Sequence, residues 1–189
     1  MTTRNPGNRE LPRLIRDATL RFRIRAKDGA HGAFDAEISR AGLRPSVKTT
    51  VRTGPAPEGL ASQLGVQPGE HVLIRAREMY ADDIPVQLAT SWLPLDIAKG
   101  TAIEQVDTGR GGTYSRLAEL GHTITQFAEA ISVSLPADHE ADFLRLGPGQ
   151  LIYNIRRTAA DQDGRVVEVT DTTMSVTRFG LVYRWPAES

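Results

Sequence analysis

The chain has no cysteine among its 189 residues. Disulfides and thiolate metal sites are thereby excluded, and a reducing cytoplasm fits the composition. Lysine is nearly as scarce. Only Lys27, Lys48 and Lys99 interrupt the arginines among the 23 basic residues, so guanidinium groups carry almost all the positive charge. No stretch approaches the roughly 18 apolar residues of a membrane span, and Met1 to Glu10 carries no signal-peptide core. No membrane partner is expected. The usual vocabulary of catalysis is also thin. There is no Gly-x-Ser-x-Gly elbow. His31, His71, His122 and His139 lie far apart, without metal-ligand spacing, and each reads as structural. No catalytic residue, metal or cofactor is expected.

What remains is a globular composition, 40% hydrophobic and 24% charged, long enough to bury a core in one domain. Net charge is zero, but unevenly spread. Residues 1–52 hold 12 basic and 5 acidic residues, a balance of +7, and the remainder balances it at −7. A basic segment suits DNA or phosphate. No DNA-reading motif accompanies it, so a solvated linker is the favoured reading.

Residues 1–13 read as a flexible leader and 14–189 as one domain. Leu20, Phe22 and Ile24 alternate with arginines, the period of a half-exposed strand. Phe34 to Arg40 reads as a short helix stopped by Gly42, and Val47 to Thr53 as a strand. The most informative feature is an internal repeat with an offset of 80 residues. Ala61, Leu64, Pro68, Gly69, Arg77, Asp83, Val86 and Thr90 recur as Ala141, Leu144, Pro148, Gly149, Arg157, Asp163, Val166 and Thr170. Each copy reads as a short helix, a Pro-Gly turn and a β-hairpin. Further strands near 47–53, 123–134 and 179–185 complete a mainly antiparallel sheet with short helices on one face, an α+β fold. A helix from Thr113 to Leu120, N-capped by Thr113 and closed by Gly121, links the copies. A cleft is expected between the two lobes.

Candidate ligand groups follow from strand parity. Arg75 and Arg77 share one side of their strand with Leu73 and Met79, and guanidinium forks bind carboxylate or phosphate. A solvent face with surface ion pairs is the equal alternative. Glu168 shares a side with Val166 and Thr170, opposite Val167 and Val169; if buried it needs an arginine. Gly109-Arg110-Gly111-Gly112 precedes a helix and suits an anion, although a plain flexible loop explains it as well. Asp82-Asp83 and Asp161/Asp163 are turn formers.

The stretches "FDAEISRAGLRP", "ASQLGVQPGEHVLIRAREMYADDIPVQLATSWLP", "GGTYSRLAELGH", "LGPGQLIYNIRRTAADQDGRVVEVTDTTM" and "RFGLVYRW" occur in this order. Together they resemble the effector-binding domain of the HutC subfamily of GntR-type bacterial regulators, the UTRA domain. The resemblance implies a chorismate-lyase-like fold, a homodimer, and a pocket for a small, often anionic effector. It implies a sensor rather than an enzyme. It places Arg75 and Arg77 in an effector-contacting strand, Gly112, Thr113 and Tyr114 at the start of the middle helix, and Glu168 on the late strand whose acid meets ligand. Phe34 falls in the early pocket loop and Tyr183 in the last strand. Arg75→Ala is then expected to weaken an anionic effector while leaving the fold intact.

Departures accompany the resemblance. Gly32, Ala33, Ala89 and Gly112 stand where sugar-phosphate sensors of the family carry hydroxyl groups or a glutamate. Each loss removes a hydrogen-bonding group, which favours a more apolar or differently charged effector. Family members carry a winged helix-turn-helix before this domain. Nothing in residues 1–30 forms one, so the chain reads as part of a longer regulator or as a stand-alone sensor, reaching operator DNA only through that missing module. A lyase built on the same fold and a non-binding dimerisation module are the alternatives.

Overall fold

A computed structural model describes residues 11–23 and 30–187. The strands are β1 (Leu14–Asp17), β2 (Pro45–Pro55), β3 (His71–Ala81), β4 (Ile84–Pro94), β5 (Ile124–Ser134), β6 (Ile152–Asp161), β7 (Val166–Ser175) and β8 (Phe179–Val182). The helices are α1 (Leu20–Arg23), α2 (Ala33–Arg40), α3 (Ala61–Leu64), α4 (Leu95–Ala98), α5 (Gly112–Glu119) and α6 (Asp138–Leu144). Six strands form one antiparallel sheet in the order β2-β3-β4-β7-β6-β5. The two copies of the repeat therefore meet at the central β4–β7 pair. β2 and β5 form the two edges.

The repeat is visible in the turns. Pro68-Gly69 and Pro148-Gly149 close equivalent turns in which Gly69 and Gly149 adopt φ of 80° and 76°, a region L side chains avoid. In the first hairpin Asp82 and Asp83 both take positive φ, the requirement of a two-residue I′ turn. The second hairpin has the longer turn around Gly164, and its offset changes from 80 to 81. Arg157 remains the counterpart of Arg77, but Glu168 becomes the counterpart of Gln87 and Thr170 of Ala89. The Thr90/Thr170 and Val86/Val166 identities are thus one residue out of structural register.

A bulge between Ala159 and Ala160 leaves Val167 as the extra residue of β7. This corrects the parity expected around Glu168. Val167 packs with Leu73, Leu93, Tyr114 and Leu117, on the side of Glu168. Val166 instead joins Val169 and the cluster of Leu60, Leu64, Val72 and Ile74.

Helices cover both faces, not one. α3 lies on the Val72–Ile74–Val169 face, and α6 docks beside it through the Phe143–Tyr80 edge contact at 5.5 Å. The opposite face carries α2, through Phe34 and Ile38, and α4 and α5, through Ile97 and Leu117. Burying each such side chain stabilises the fold by about 1.5–3 kcal/mol.

Two further expectations fail. Leu20–Arg23 is one helical turn and not a strand, because the Asp17 carboxylate accepts the amides of Thr19 and Leu20 at 3.1 and 2.9 Å and starts a helix there. Ile24 and Arg25 lie outside the described residues, as does most of the expected leader. The last strand does not join the main sheet. β8 pairs in parallel with β1 as a separate ribbon, Leu14 opposite Phe179 and Arg16 opposite Leu181.

Candidate functional site

A cavity of about 440 Å³ opens on the face shared by α2 and α5. Its floor is the central sheet: Arg75, Arg77 and Met79 from β3, Gln87 and Ala89 from β4, Glu168, Thr170 and Thr172 from β7, and Arg157 from β6. Phe34 on α2 and Gly112, Thr113 and Tyr114 on α5 close the sides. The cavity has a polar end around Arg77, Arg157, Glu168 and Tyr114, and a more apolar end around Phe34, Val47, Met79 and Ala89.

The structure brings seven of the eight expected residues to this cavity, in different states. Arg75 is 3% exposed and donates to three main-chain carbonyls, those of Ile103, Gln105 and Val106. It clamps the segment between α4 and α5. Burial, with the charge of Arg77 beside it, lowers its guanidinium to about 10, so it stays charged at neutral pH. Arg77 is the contrast: among the described residues its one side-chain hydrogen bond goes from Nη2 to Ser91 Oγ, and its Nε is buried without a partner. Ser91 in turn lies 2.7 Å from Thr170 Oγ1.

Glu168 is buried, and burial pushes its carboxyl up; Arg157, Arg77 and the Tyr114 hydroxyl outweigh that and hold it below the usual range. Tyr114 donates to it at 2.5 Å, and Arg157 Nη2 stands 3.7 Å away. The arginine that a buried Glu168 requires is therefore Arg157, the repeat partner of Arg77, whose only mark in the sequence is the repeat itself. Arg157 also faces Glu129 at 3.8 Å and lies over the rings of Tyr114 and Phe127. Burial raises the Tyr114 phenol far above its ordinary value, so it acts as a neutral donor.

Thr113 does not cap α5. The N-cap is Gly111 in a left-handed conformation, and Thr113 sits in the first turn beside the cavity. Gly112 has φ of +69°, and a Cβ there would stand 2.7 Å from the His31 carbonyl oxygen. Serine cannot enter at this position without moving the backbone of residues 31–32. The Gly109–Gly112 turn is largely spent: the amides of Gly109, Gly111 and Gly112 donate to Asp107, Ala30 and Gly109. Tyr183 is the exception among the candidates. It does not line the cavity, and its hydroxyl donates to Glu129 at 2.6 Å, behind Arg157.

The charges of the lining cancel. Arg75, Arg77 and Arg157 contribute +3, and Asp35, Asp107 and Glu168 contribute −3. Among the described residues no cluster of three His, Cys, Asp or Glu side chains forms a metal site, and no helix is long and apolar enough to cross a membrane.

Comparison with known proteins identifies the frame in which this cavity sits. Residues 40–180 match the family model described as the UTRA domain. An uncharacterised HTH-type transcriptional regulator of Streptomyces coelicolor is 31% identical over 163 residues, covering 83% of this chain. The chain spans about 61% of that relative's length. PhnF of Mycobacterium smegmatis superposes with a TM-score of 0.78 at 22% identity, over 94% of this chain and 74% of that one. The C-terminal domain of the histidine utilization repressor of Pseudomonas syringae gives 0.63 at 20% identity, over 76% of this chain and 100% of that one. At such identities the solved structures speak for the fold, an antiparallel sheet of the chorismate-lyase-like kind. The chain belongs to the UTRA domain family, the effector-binding domain of GntR-type transcription regulators, which is a regulatory domain and not an enzyme.

Proposed function

We propose that this domain senses a small metabolite with one negative charge and a partly apolar body, bound in the cavity between α2, α5 and the sheet. The reading is carried by one observation: Arg77 presents a guanidinium with a single hydrogen bond to a cavity whose lining charges sum to zero. Arg75 is committed to carbonyls and Arg157 faces Glu168 and Glu129, whereas Arg77 is attracted to Glu168 without a hydrogen bond to it, so its remaining donors are open to a ligand. A carboxylate satisfies them through a bidentate pair. A phosphate dianion brings twice the negative charge of a carboxylate into a neutral lining, next to Glu168, and is repelled more strongly. Thr113, Thr170 and the Tyr114 edge suit the polar head, while Phe34, Met79, Val47 and Ala89 suit an apolar remainder.

In a regulator that carries such a domain, occupancy would shift how two copies sit in a cytoplasmic homodimer, and so how attached DNA-reading modules are spaced. The exposed edge strand β5, with Ile131 and Val133 at 42% and 50% exposure, supports pairing with a second copy.

A thermal-shift panel with matched bodies and different heads tests the proposal: carboxylates, their amides and their monophosphates. A carboxylate at about 100 times its dissociation constant adds roughly 2.7 kcal/mol and raises Tm by about 5–11 °C. A panel in which the phosphates stabilise and the carboxylates do not would overturn the single-charge reading.

A further inference from the structure

We propose that the buried guanidinium of Arg16 couples occupancy of the cavity to docking of the β1–β8 ribbon, making that ribbon the element through which the cavity is read. The inference rests on the cavity being a ligand site.

β1 alternates as a half-buried strand: Leu14 in, Ile15 out, Arg16 in. An apolar side chain is the expected occupant of the third position. Arg16 is instead 1% exposed, with its guanidinium 5.4 Å from the centre of the Phe179 ring. Taking a cation and its partner out of water is costly, and an apolar side chain of similar length would fill the same space. Packing therefore does not account for the charge. Its partners do. Arg16 donates from Nη2 to Gln87 Oε1 and from Nε to Glu37 at 3.4 Å. One guanidinium thus ties the ribbon to β4 and to α2.

Both partners are joined to the cavity. Gln87 lines it, and Glu37 is one turn along α2 from Phe34, which lines it too. The amide of Gln87 is poised to respond. A guanidinium has only donors, so the amide oxygen must face Arg16 and the amide nitrogen must face the other way. There it meets Met79 Sδ at 2.9 Å, a weak acceptor. A ligand body pressed against Met79 moves Sδ and with it the amide nitrogen that donates to it, changing the geometry at Arg16. An apolar body resting on Phe34 fixes α2 and with it Glu37.

The ribbon also reaches the polar end of the cavity. Just beyond β8, Tyr183 donates to Glu129, which pairs with Arg157, which faces Glu168. Arg184 pairs with Asp17 and closes the ribbon on itself. Tyr183, which stays outside the cavity, thereby becomes a relay and Arg16 a positioning residue. By linkage, whatever factor ligand adds to ribbon docking, docking adds to ligand affinity.

Amide hydrogen exchange tests the coupling, with octanoate as the probe ligand and its binding followed by calorimetry. In the unaltered chain octanoate should slow exchange at residues 14–17 and 179–182 by about fivefold or more. In Arg16→Met it should still bind, more weakly by the same factor, without slowing the ribbon. Octanoate that binds while ribbon exchange stays unchanged overturns the coupling and leaves the cavity reading intact. If octanoate does not bind, the cavity reading fails for this probe, and the coupling is decided by Ala89→Leu and Val47→Phe. These fill the apolar end from the chain itself. The coupling requires that either one change ribbon exchange by about threefold, and that Arg16→Met abolish the change. Equal changes in both backgrounds, or none, overturn it.

Discussion

Arg75 and Arg77 lie two residues apart on one face of β3, and their substitution should give opposite phenotypes. Arg75→Met removes the donors to three carbonyls, of which the Ile103 oxygen is in the interior. A buried acceptor left without a donor costs about 1–3 kcal/mol, and the two carbonyls nearer the surface recover part of theirs from water. Methionine retains most of the apolar stem. The net loss should be about 2–4 kcal/mol, a fall in Tm of roughly 4–16 °C for a domain of this length. Arg77→Met gives up one hydrogen bond to Ser91 and a half-buried cation. Its stability should stay within about 1 kcal/mol of the unaltered chain, because the desolvation it relieves offsets the bond to Ser91 and the attraction to Glu168 that it loses. Urea denaturation followed by tryptophan fluorescence measures both. An Arg75→Met chain as stable as the original would refute the assignment of Arg75 as a clamp, and would restore the expectation that its removal spares the fold.

Other outcomes follow from the same geometry. Glu168→Gln leaves Arg157 and Arg77 without their shared counter-charge, so it should destabilise by about 3–5 kcal/mol, read by the same denaturation. Asp161 is held below its ordinary value first by the hydrogen bond from His122, then by the amides of Arg165 and Asp163. A depressed carboxylate stabilises fully above its unfolded value of 3.8 and loses that contribution as pH falls through the folded one. Asp161→Asn should therefore be less stable at pH 7 and approach the original as pH falls from 3.8 through the lower folded value. Gly112→Ser should lower stability by about 1–3 kcal/mol, since its Cβ meets the His31 carbonyl and its φ is positive. Val133→Lys on the β5 edge should shift the chain towards monomer in light scattering without changing its melting temperature.

Much of the fold is legible in the sequence because its punctuation repeats. Pro-Gly turns and hairpins recur at fixed distance, and the strands they bound follow within a residue or two. Elements whose identity is decided by a distant partner were not legible. Leu20 to Arg23 carries strand periodicity, yet the Asp17 carboxylate starts a helix there. β8 carries the marks of a sheet strand but pairs with β1, 165 residues earlier. At the site, parity placed Arg75 and Arg77 correctly on one face. It could not distinguish a clamp from an open guanidinium, because the carbonyls that engage Arg75 belong to a segment without any motif. Arg157 was within reach: it repeats Arg77, and a buried Glu168 needs such a partner. The bulge at Val167 hid the register that would have joined them.

The central claim, that Arg77 anchors a singly charged effector, is tested most directly by calorimetric titration of the unaltered chain and of Arg77→Met with the carboxylate that stabilises the chain most. Loss of a charge-assisted pair worth about 1.5–3 kcal/mol predicts affinity weakened roughly 10- to 150-fold, with the fold intact. Equal affinity in the two chains would contradict the account.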